Sequence, residues 1–477
     1  MSHTLADTLW AHTLGEPLTP RPPLTRDLHV DIAIIGAGYS GLWSALRLKR
    51  RDPSLRIALL EAGIAGEGAS GRNGGWLMGG FSGDLSYLAM LDGERREQAR
   101  RLITGTVARA AAEIAELGIE CSLVHGGNLH VAARYPEQRL RLEEELATLR
   151  QAGFGEEDVR RLEGAQAREA LELPGGDLAL YTPHCARVHP LKLVRGLARA
   201  VEAAGVSLYE QSPVLGLSPG RVHLKEHTVR AGVIVSALEG YQRLLGLDEG
   251  ATLPVQSLLL ATEPLSESQW QRIGLHRHET FADASRLITY GQRSADGRLV
   301  FGARGGYRFG GRVRTRFPFT PRHLGDAPKG DEFDLRADLL AALFPHLAGV
   351  AITHGWGGTL GMARRFRPHA LFDPRLGLAT LGGYGGEGVG ASLLFADTLS
   401  ELILGGDGSL ATQPWAYRGA LTTHLRRWEA EPIPWLGYGA ISGLFQLEER
   451  LLRRPVRPSL PLKLVTPLAD ALEALMQ

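Results

Sequence analysis

Residues 29–61 constrain the fold more than any other stretch. HVDIAII (29–35) is a short apolar run rich in branched side chains, the pattern of a buried parallel strand. GAGYSG follows at once, with Gly36, Gly38 and Gly41 in G-x-G-x-x-G spacing around Tyr39 and Ser40. LWSALRLKRR then places Leu42, Ala45, Leu46 and Leu48 at helical spacing and stops at Asp52-Pro53. RIALLE predicts a second strand ending on Glu61. Gly36 permits the tight turn, Gly38 lets a pyrophosphate approach the backbone, and Gly41 lets helix and strand pack closely. The helix N-terminus offers free N–H groups to that phosphate. Glu61, 20 residues past Gly41, suits a ribose diol and would repel a 2′-phosphate, which disfavours NADP. The unit predicts dinucleotide binding; by itself it fits NAD or FAD.

The next segment separates those two. GEGASGRNGG (66–75) turns glycine-rich only five residues after Glu61, where a simple NAD domain starts another helix. A cofactor continuing past its pyrophosphate needs a second backbone cradle, and FAD has that shape. Gly71, Gly74 and Gly75 let backbone lie against the flavin, and Ser70, Arg72 and Asn73 are candidate donors to phosphate and flavin oxygens. The 60 glycines among 477 residues, about twice the usual share, form no repeat and serve turns and close approaches.

Composition excludes several classes. A net charge of +1 lacks the basic footprint of a nucleic-acid binder. Cys121 and Cys185 lie far apart and form no C-x-x-C, so neither a metal site nor a disulfide framework is expected, and a reducing, cytoplasmic setting is the default. The opening residues lack the basic and apolar regions of a signal peptide, and no apolar run of about 18 residues predicts a membrane span.

The G-x-G-x-x-G, the Glu61 strand end and GASGRNGG together resemble the D-amino-acid-oxidase-like FAD-dependent amine oxidoreductases, which include glycine and sarcosine oxidases. The loop is most similar to the gamma-glutamylputrescine oxidase branch. The resemblance spans about residues 28–405. It implies an α/β fold, α+β overall: a Rossmann-like FAD-binding domain (28–82, 185–250 and 350–405) interleaved with a mixed or antiparallel-sheet substrate domain (83–184 and 251–349), followed by an extension (406–477). In the family, the residue at Val214 touches the adenine through its backbone. TVRAGVIVSALEGY (228–241) predicts a third parallel strand, with Ser236 and Ala237 small enough to pass the nucleotide. LATLGGYGGEGVGASLLFADTLSELILG (378–405) predicts a strand, a glycine loop and a helix opened by Gly388 and Val389, whose N-terminus would face the flavin pyrimidine. The implied FAD contacts also include Ala62, Gly68, Ala69, Gly358, Gly383, Gly386 and Glu387.

Helical patterns near 94–117 and 136–151 flank a strand in GGNLHVAAR, and 252–310 predicts strands with a hairpin at Asp296-Gly297. These segments form the expected substrate sheet over the flavin. The C-terminal stretch RRWEAEPIPWLGYGAISGLFQLEERLLRRP predicts a helix packed on the body, or a membrane-surface or partner helix.

The resemblance implies oxidation of a C–N bond of a small amine or amino acid: hydride transfer to flavin N5, then hydrolysis of the imine to a carbonyl compound. Oxygen or another acceptor takes the electrons. Some relatives attach FAD through a cysteine near HGWGGTLGMARRFRPHA (354–370); none is present, so non-covalent FAD is expected. Sarcosine-oxidase-like members use a lysine near the flavin for the oxygen reaction, and the hairpin 294–304 has none, which leaves a dehydrogenase open. Arg304, Tyr307 and Trp356 are the substrate-facing candidates, with Arg304 suited to grip a carboxylate or phosphonate bidentately; its alternative is an interdomain salt bridge. Trp356 and Tyr384 also fit core aromatics, His184 and His189 fit structural roles, and Arg364, Arg365 and Arg367 fit a solvated cluster. Two other functions remain: an electron-relay or assembly subunit that binds FAD, and an NAD-dependent dehydrogenase.

Overall fold

The computed structural model describes residues 4–245, 250–454 and 459–476. The strand Leu28–Ile35 lies at the centre of a nine-stranded sheet, parallel to Thr228–Ser236 on one side and to Ile57–Leu60 on the other. Beyond these lie Ser207–Tyr209 on one flank, and Leu378–Gly382 and His369–Asp373 on the other. Both faces of the central strands are covered, which explains their unbroken apolar runs. Tyr39–Arg51 and the almost wholly buried helix Gly388–Leu404 pack together on one face.

A second nine-stranded sheet runs in the order Arg322–His323, Ala351–Ala363, Thr252–Pro264, Arg298–Tyr307, Thr289–Arg293, Thr280–Asp283, Asn128–Ala132, Leu178–Thr182, Arg160–Glu163. It is antiparallel except where Thr280–Asp283 runs parallel to Asn128–Ala132. The chain crosses between the sheets several times. The hairpin turns at 294–297, with Gly297 in left-handed backbone (φ 78°).

One boundary differs from the sequence division. Residues 350–405 were expected to sit wholly with the nucleotide unit. Ala351–Ala363 instead belongs to the second sheet, paired with Thr252–Pro264 from Thr252↔Ala363 to Thr262↔Ile352. Its glycines hide it from a search for alternating apolar residues, yet they have a packing role. A Cβ at Gly355 would lie 2.3 Å from the Phe319 ring and one at Gly357 would lie 2.8 Å from the Phe317 ring. The chain returns to the first sheet at His369–Asp373.

The helical pattern of 94–117 resolves into Gly93–Thr104 and Thr106–Glu116, and that of 136–151 into Glu137–Gln151. In the C-terminal extension, the helix Ile433–Leu452 packs on the second sheet. The Tyr438 hydroxyl donates to the carbonyl of Gly305 at 2.7 Å, Tyr135 donates to Glu449 at 2.8 Å, and Glu448 pairs with Arg286 at 2.9 Å. Among the described residues, no helix is long and apolar enough to cross a membrane.

Candidate active site

The G-x-G-x-x-G turn is built as its spacing predicts. Gly36 has φ 100°, and a Cβ there would lie 2.8 Å from the Ala237 carbonyl oxygen. A Cβ on Gly41 would come within 1.9 Å of the Gly36 carbonyl oxygen, so only glycine allows this helix to sit so close to its strand. Glu61 closes the turn from the neighbouring strand, accepting hydrogen bonds from the amides of Ala37 at 2.8 Å and Gly63 at 2.9 Å. Burial pushes its carboxyl above the usual range, against the pull of those amides.

The 66–75 loop folds back onto this turn. The Ser70 hydroxyl accepts from the Tyr39 amide at 3.0 Å, and a Cβ on Gly38 would lie 2.8 Å from the same oxygen. Two of the expected cofactor donors have other partners. Asn73 staples its own loop: its amide nitrogen donates to the Ser70 carbonyl at 2.8 Å, and its side-chain oxygen accepts from the Gly75 amide at 2.8 Å. Arg72 is 3% exposed and donates to the Glu67 carbonyl at 2.7 Å. Both residues shape the cradle from within while lining its cavity.

A single cavity of about 1340 Å3 runs from this turn to the second sheet. Along it lie Gly38, Glu61, Ala62, Gly68, Ser70, Gly74, Val214, Ala237, Gly358 and the loop Gly385–Val389. Thus patches far apart in sequence line one space. Tyr39, Ser40 and Ala69 line it as well, whereas Gly41, Gly75 and Gly383 lie behind the lining. Gly75 is held by the Val188 amide, which donates to its carbonyl at 2.8 Å, and a Cβ on Gly383 would lie 2.7 Å from that of Ala363. These glycines act through backbone packing.

The far wall comes from the second sheet: Ser257 and Leu259 on one strand, Tyr290 and Arg304 on the next two, with Trp76 and Met78 opposite. Arg304 donates to the Gly385 carbonyl at 2.7 Å and meets no carboxylate in an ion pair, so the interdomain salt bridge is not formed among the described residues. Tyr307 does not reach the cavity. The pairing of Arg298–Tyr307 with its neighbour shifts register between Ser257 and Val255, and Tyr307, paired with Val255 and packed with Leu253 and Met362, donates to Glu431 at 2.5 Å. Trp356 is on the cavity side of its strand but lies beneath the glycine loop, 2% exposed, and donates to the Arg72 carbonyl at 2.9 Å. Its role is to support the loop.

His184 pairs with Asp158 at 2.7 Å. His189 caps the helix Pro190–Ala203, accepting from the Lys192 amide at 3.1 Å, and burial lowers its pKa to about 3. Arg364, Arg365 and Arg367 do not line the cavity; Arg364 pairs with Glu429 at 2.9 Å. Both cysteines are buried and free, and no metal-ligating cluster occurs among the described residues.

Several wall residues escaped sequence reading. Glu239 follows the small residues Ser236 and Ala237, has φ 50°, and accepts from the Tyr384 amide at 2.9 Å under the 382–388 loop. Burial raises its pKa to about 7. Glu387, a residue expected from the sequence, likewise rises to about 7, through burial and the nearby Asp84 charge, with Arg304 opposing. Tyr290 shares a 2.7 Å hydrogen bond with Ser257. An arm of the cavity continues to His130 and Glu145, paired at 2.8 Å. Burial opposes a charge on His130, but Glu145 outweighs it and raises the pKa. Only the Glu239 position carried a sequence signal, as an acid just past a strand end beside small residues.

The arrangement fits FAD. Its volume exceeds the roughly 300–1,000 Å3 of ordinary ligand pockets. Bare glycine backbone lines the cavity both at the 36–41 turn and near the second sheet, and a Cβ at Gly38 or Gly74 would meet the wall residues Ser70 or Tyr290 at 2.8 or 2.7 Å. The Trp76 indole N–H is buried at the wall without a protein partner. A parallel nucleotide-binding sheet with two glycine cradles under an antiparallel roof defines a dinucleotide-dependent oxidoreductase. The chain belongs to the DAO family, described as FAD dependent oxidoreductase, which it matches over residues 31–402. FAD is therefore its cofactor, and the NAD-dependent reading falls.

Among relatives, the probable oxidoreductase OrdL of Haemophilus influenzae is 27% identical over 405 residues, covering 82% of this chain and 86% of that protein. Gamma-glutamylputrescine oxidoreductase of Escherichia coli is 27% identical over 395 residues, covering 81% and 86%. The crystal structure of glycine oxidase from Geobacillus kaustophilus superimposes with a TM-score of 0.64 at 21% identity, covering 84% of this chain and all of that one. The last likeness is one of fold.

Proposed function

We propose that this protein oxidises the C–N bond of a small amine or amino acid that carries an anionic group. The observation that supports this reading most is Arg304. It is a permanently charged guanidinium at the cavity wall that donates to a backbone carbonyl and lies against a thioether, and no carboxylate among the described residues forms an ion pair with it. Glu387 lies nearby, but burial raises its pKa to about 7, so a substrate carboxylate would supply the full counter-charge that Arg304 lacks and fix the amine end in the cavity. Two relatives are named for substrates of this kind, glycine and gamma-glutamylputrescine.

When bound, FAD supplies the two-electron acceptor for the bond oxidation. The protein supplies the rest. Ser70, Glu61 and the backbone at Gly38 would hold the dinucleotide half, and the loop 385–389 with the N-terminal turn of Gly388–Leu404 would face the flavin half. Tyr290, Trp76 and Leu259 present mostly apolar surface to the cavity, which would disfavour a charged amine and so favour the neutral form at the reacting carbon. The arm toward His130 gives room for a substrate tail.

The test is anaerobic titration of the flavin-loaded protein with amines and amino acids, following the visible flavin band. Bleaching by an anionic amine, reversed by oxygen or a quinone, supports the proposal and identifies the acceptor. A flavin that no amine bleaches, but that accepts electrons from a partner protein, would favour the electron-relay reading instead.

A further inference from the structure

A second pocket, of about 210 Å3, lies on the other side of the glycine loop and shares no lining residue with the main cavity. Arg187, Lys192, His189, Thr13, Ser294 and Asp296 supply its polar lining. We propose that this pocket is a binding site for a small free oxyanion, with phosphate as the representative ligand.

Arg187 carries the argument. It is 6% exposed, yet its Nε has no hydrogen-bond partner, and no acid among the described residues forms an ion pair with it. The charge it feels most is a like one, Arg293. Arg293 is itself engaged, paired with Glu267 at 3.2 Å and lying over Trp270. Burial and Arg293 together lower the Arg187 pKa to about 10, so the group remains cationic at neutral pH. A buried guanidinium without a counter-charge is strongly unfavourable, and native proteins pair such groups.

The rest of the pocket has the composition an oxyanion needs. Lys192 adds a second cation, while the Thr13 and Ser294 hydroxyls are engaged within the wall, Thr13 donating to the Leu9 carbonyl at 2.8 Å and Ser294 to Asp296 at 2.6 Å. His189 is held neutral by burial and does not compete for the anion. Asp296 is the one acid in the lining, and it is engaged by Ser294 at 2.6 Å and Arg298 at 2.7 Å. Ala295 and Asp296 are exposed, so the pocket opens to solvent beside the hairpin turn.

The pocket also touches the cofactor cradle from behind. The Trp10 indole donates to the Asn73 carbonyl at 2.8 Å, the Val188 amide donates to the Gly75 carbonyl at 2.8 Å, and the Gln292 amide donates to the Gly74 carbonyl. All three belong to the pocket lining. An anion seated here stiffens the wall that holds residues 73–75.

The test is calorimetric titration of inorganic phosphate into the flavin-loaded full chain, at ionic strength held constant with chloride. Saturable single-site binding is expected. Lys192→Ala, at a half-buried position on the pocket rim, should keep its flavin and weaken phosphate several-fold. Arg187→Gln should weaken it by about tenfold or more, the loss of a charge-assisted contact. Phosphate should raise the melting temperature of the wild type and do so less for Lys192→Ala. Absence of saturable binding overturns the proposal, as does binding that a folded Lys192→Ala and Arg187→Gln both leave unchanged. If Arg187→Gln fails to fold, the Lys192→Ala titration alone decides.

Discussion

The Ser70 hydroxyl accepts a hydrogen bond from the Tyr39 amide at 3.0 Å. One contact thereby ties the second glycine patch to the first helix turn of the dinucleotide motif. The cradle depends on this closeness, and Gly38 lies at its tightest point, since a Cβ there would sit 2.8 Å from the same hydroxyl oxygen. Gly38→Ala should push the two loops apart. The expected result is a folded protein that retains much less FAD, measured as the ratio of visible flavin absorbance to protein absorbance. Overpacking of this kind costs about 1–3 kcal/mol.

Arg304 tests the substrate assignment. Arg304→Leu removes the cation from the cavity wall, and KM for a carboxylate-bearing amine should rise about tenfold to a hundredfold, the loss of a charged hydrogen-bonded contact. Arg304→Lys should recover only part of this, because an ammonium lacks the bidentate fork. An amine without a carboxylate should be oxidised equally by wild type and variant; steady-state kinetics on the two substrates distinguishes them.

Trp356 tests a supporting role. Trp356→Phe removes the 2.9 Å hydrogen bond to the Arg72 carbonyl while leaving an aromatic ring in place. Stability should fall by about 1 kcal/mol, the usual net value of such a bond. Since the indole lies beneath the loop, KM should stay unchanged. Chemical denaturation and steady-state kinetics together check this.

Glu239 makes a pH prediction. Its pKa rises from 4.5 to about 7 in the folded chain, chiefly through burial. The folded state therefore holds a proton that the unfolded state releases between these values. Its stabilising contribution is fully present below about pH 4.5 and is lost as pH rises through about 7. Glu239→Gln mimics the protonated carboxyl and should be less sensitive to pH over this window. Melting temperatures of both proteins across pH 5–8, roughly the span of that titration, provide the comparison.

The glycine-lined half of the cavity was legible because its shape is carried by backbone. Gly36, Gly38, Gly41 and the 66–75 loop are fixed in sequence by the need for bare chain, and short-range spacing records that need. The substrate half is carried by side chains whose direction depends on strand pairing. Arg304 and Tyr307 lie three residues apart on one strand, yet Arg304 lines the cavity while Tyr307 packs with Val255 and Met362 and meets Glu431 of the C-terminal extension, a division that only the tertiary packing reveals. Trp356 has the right face, but a loop almost 300 residues earlier in the chain covers it, as its bond to the Arg72 carbonyl (sequence separation 284) records. Arg72 and Asn73 line the cavity, yet their side chains hydrogen-bond within the loop itself, which spacing cannot reveal. The strand Ala351–Ala363 was missed because its glycines leave room for Phe317 and Phe319 rather than presenting apolar side chains of their own.

The most direct test of the central claim is release and quantification of the bound cofactor from wild type and Gly38→Ala, followed by anaerobic addition of an anionic amine to the wild type. The account predicts FAD equimolar with the wild-type chain, a clear deficit in the variant, and bleaching of the wild-type flavin by the amine. A wild-type chain that holds no FAD even after incubation with it, or a variant that holds as much as the wild type, would contradict the account.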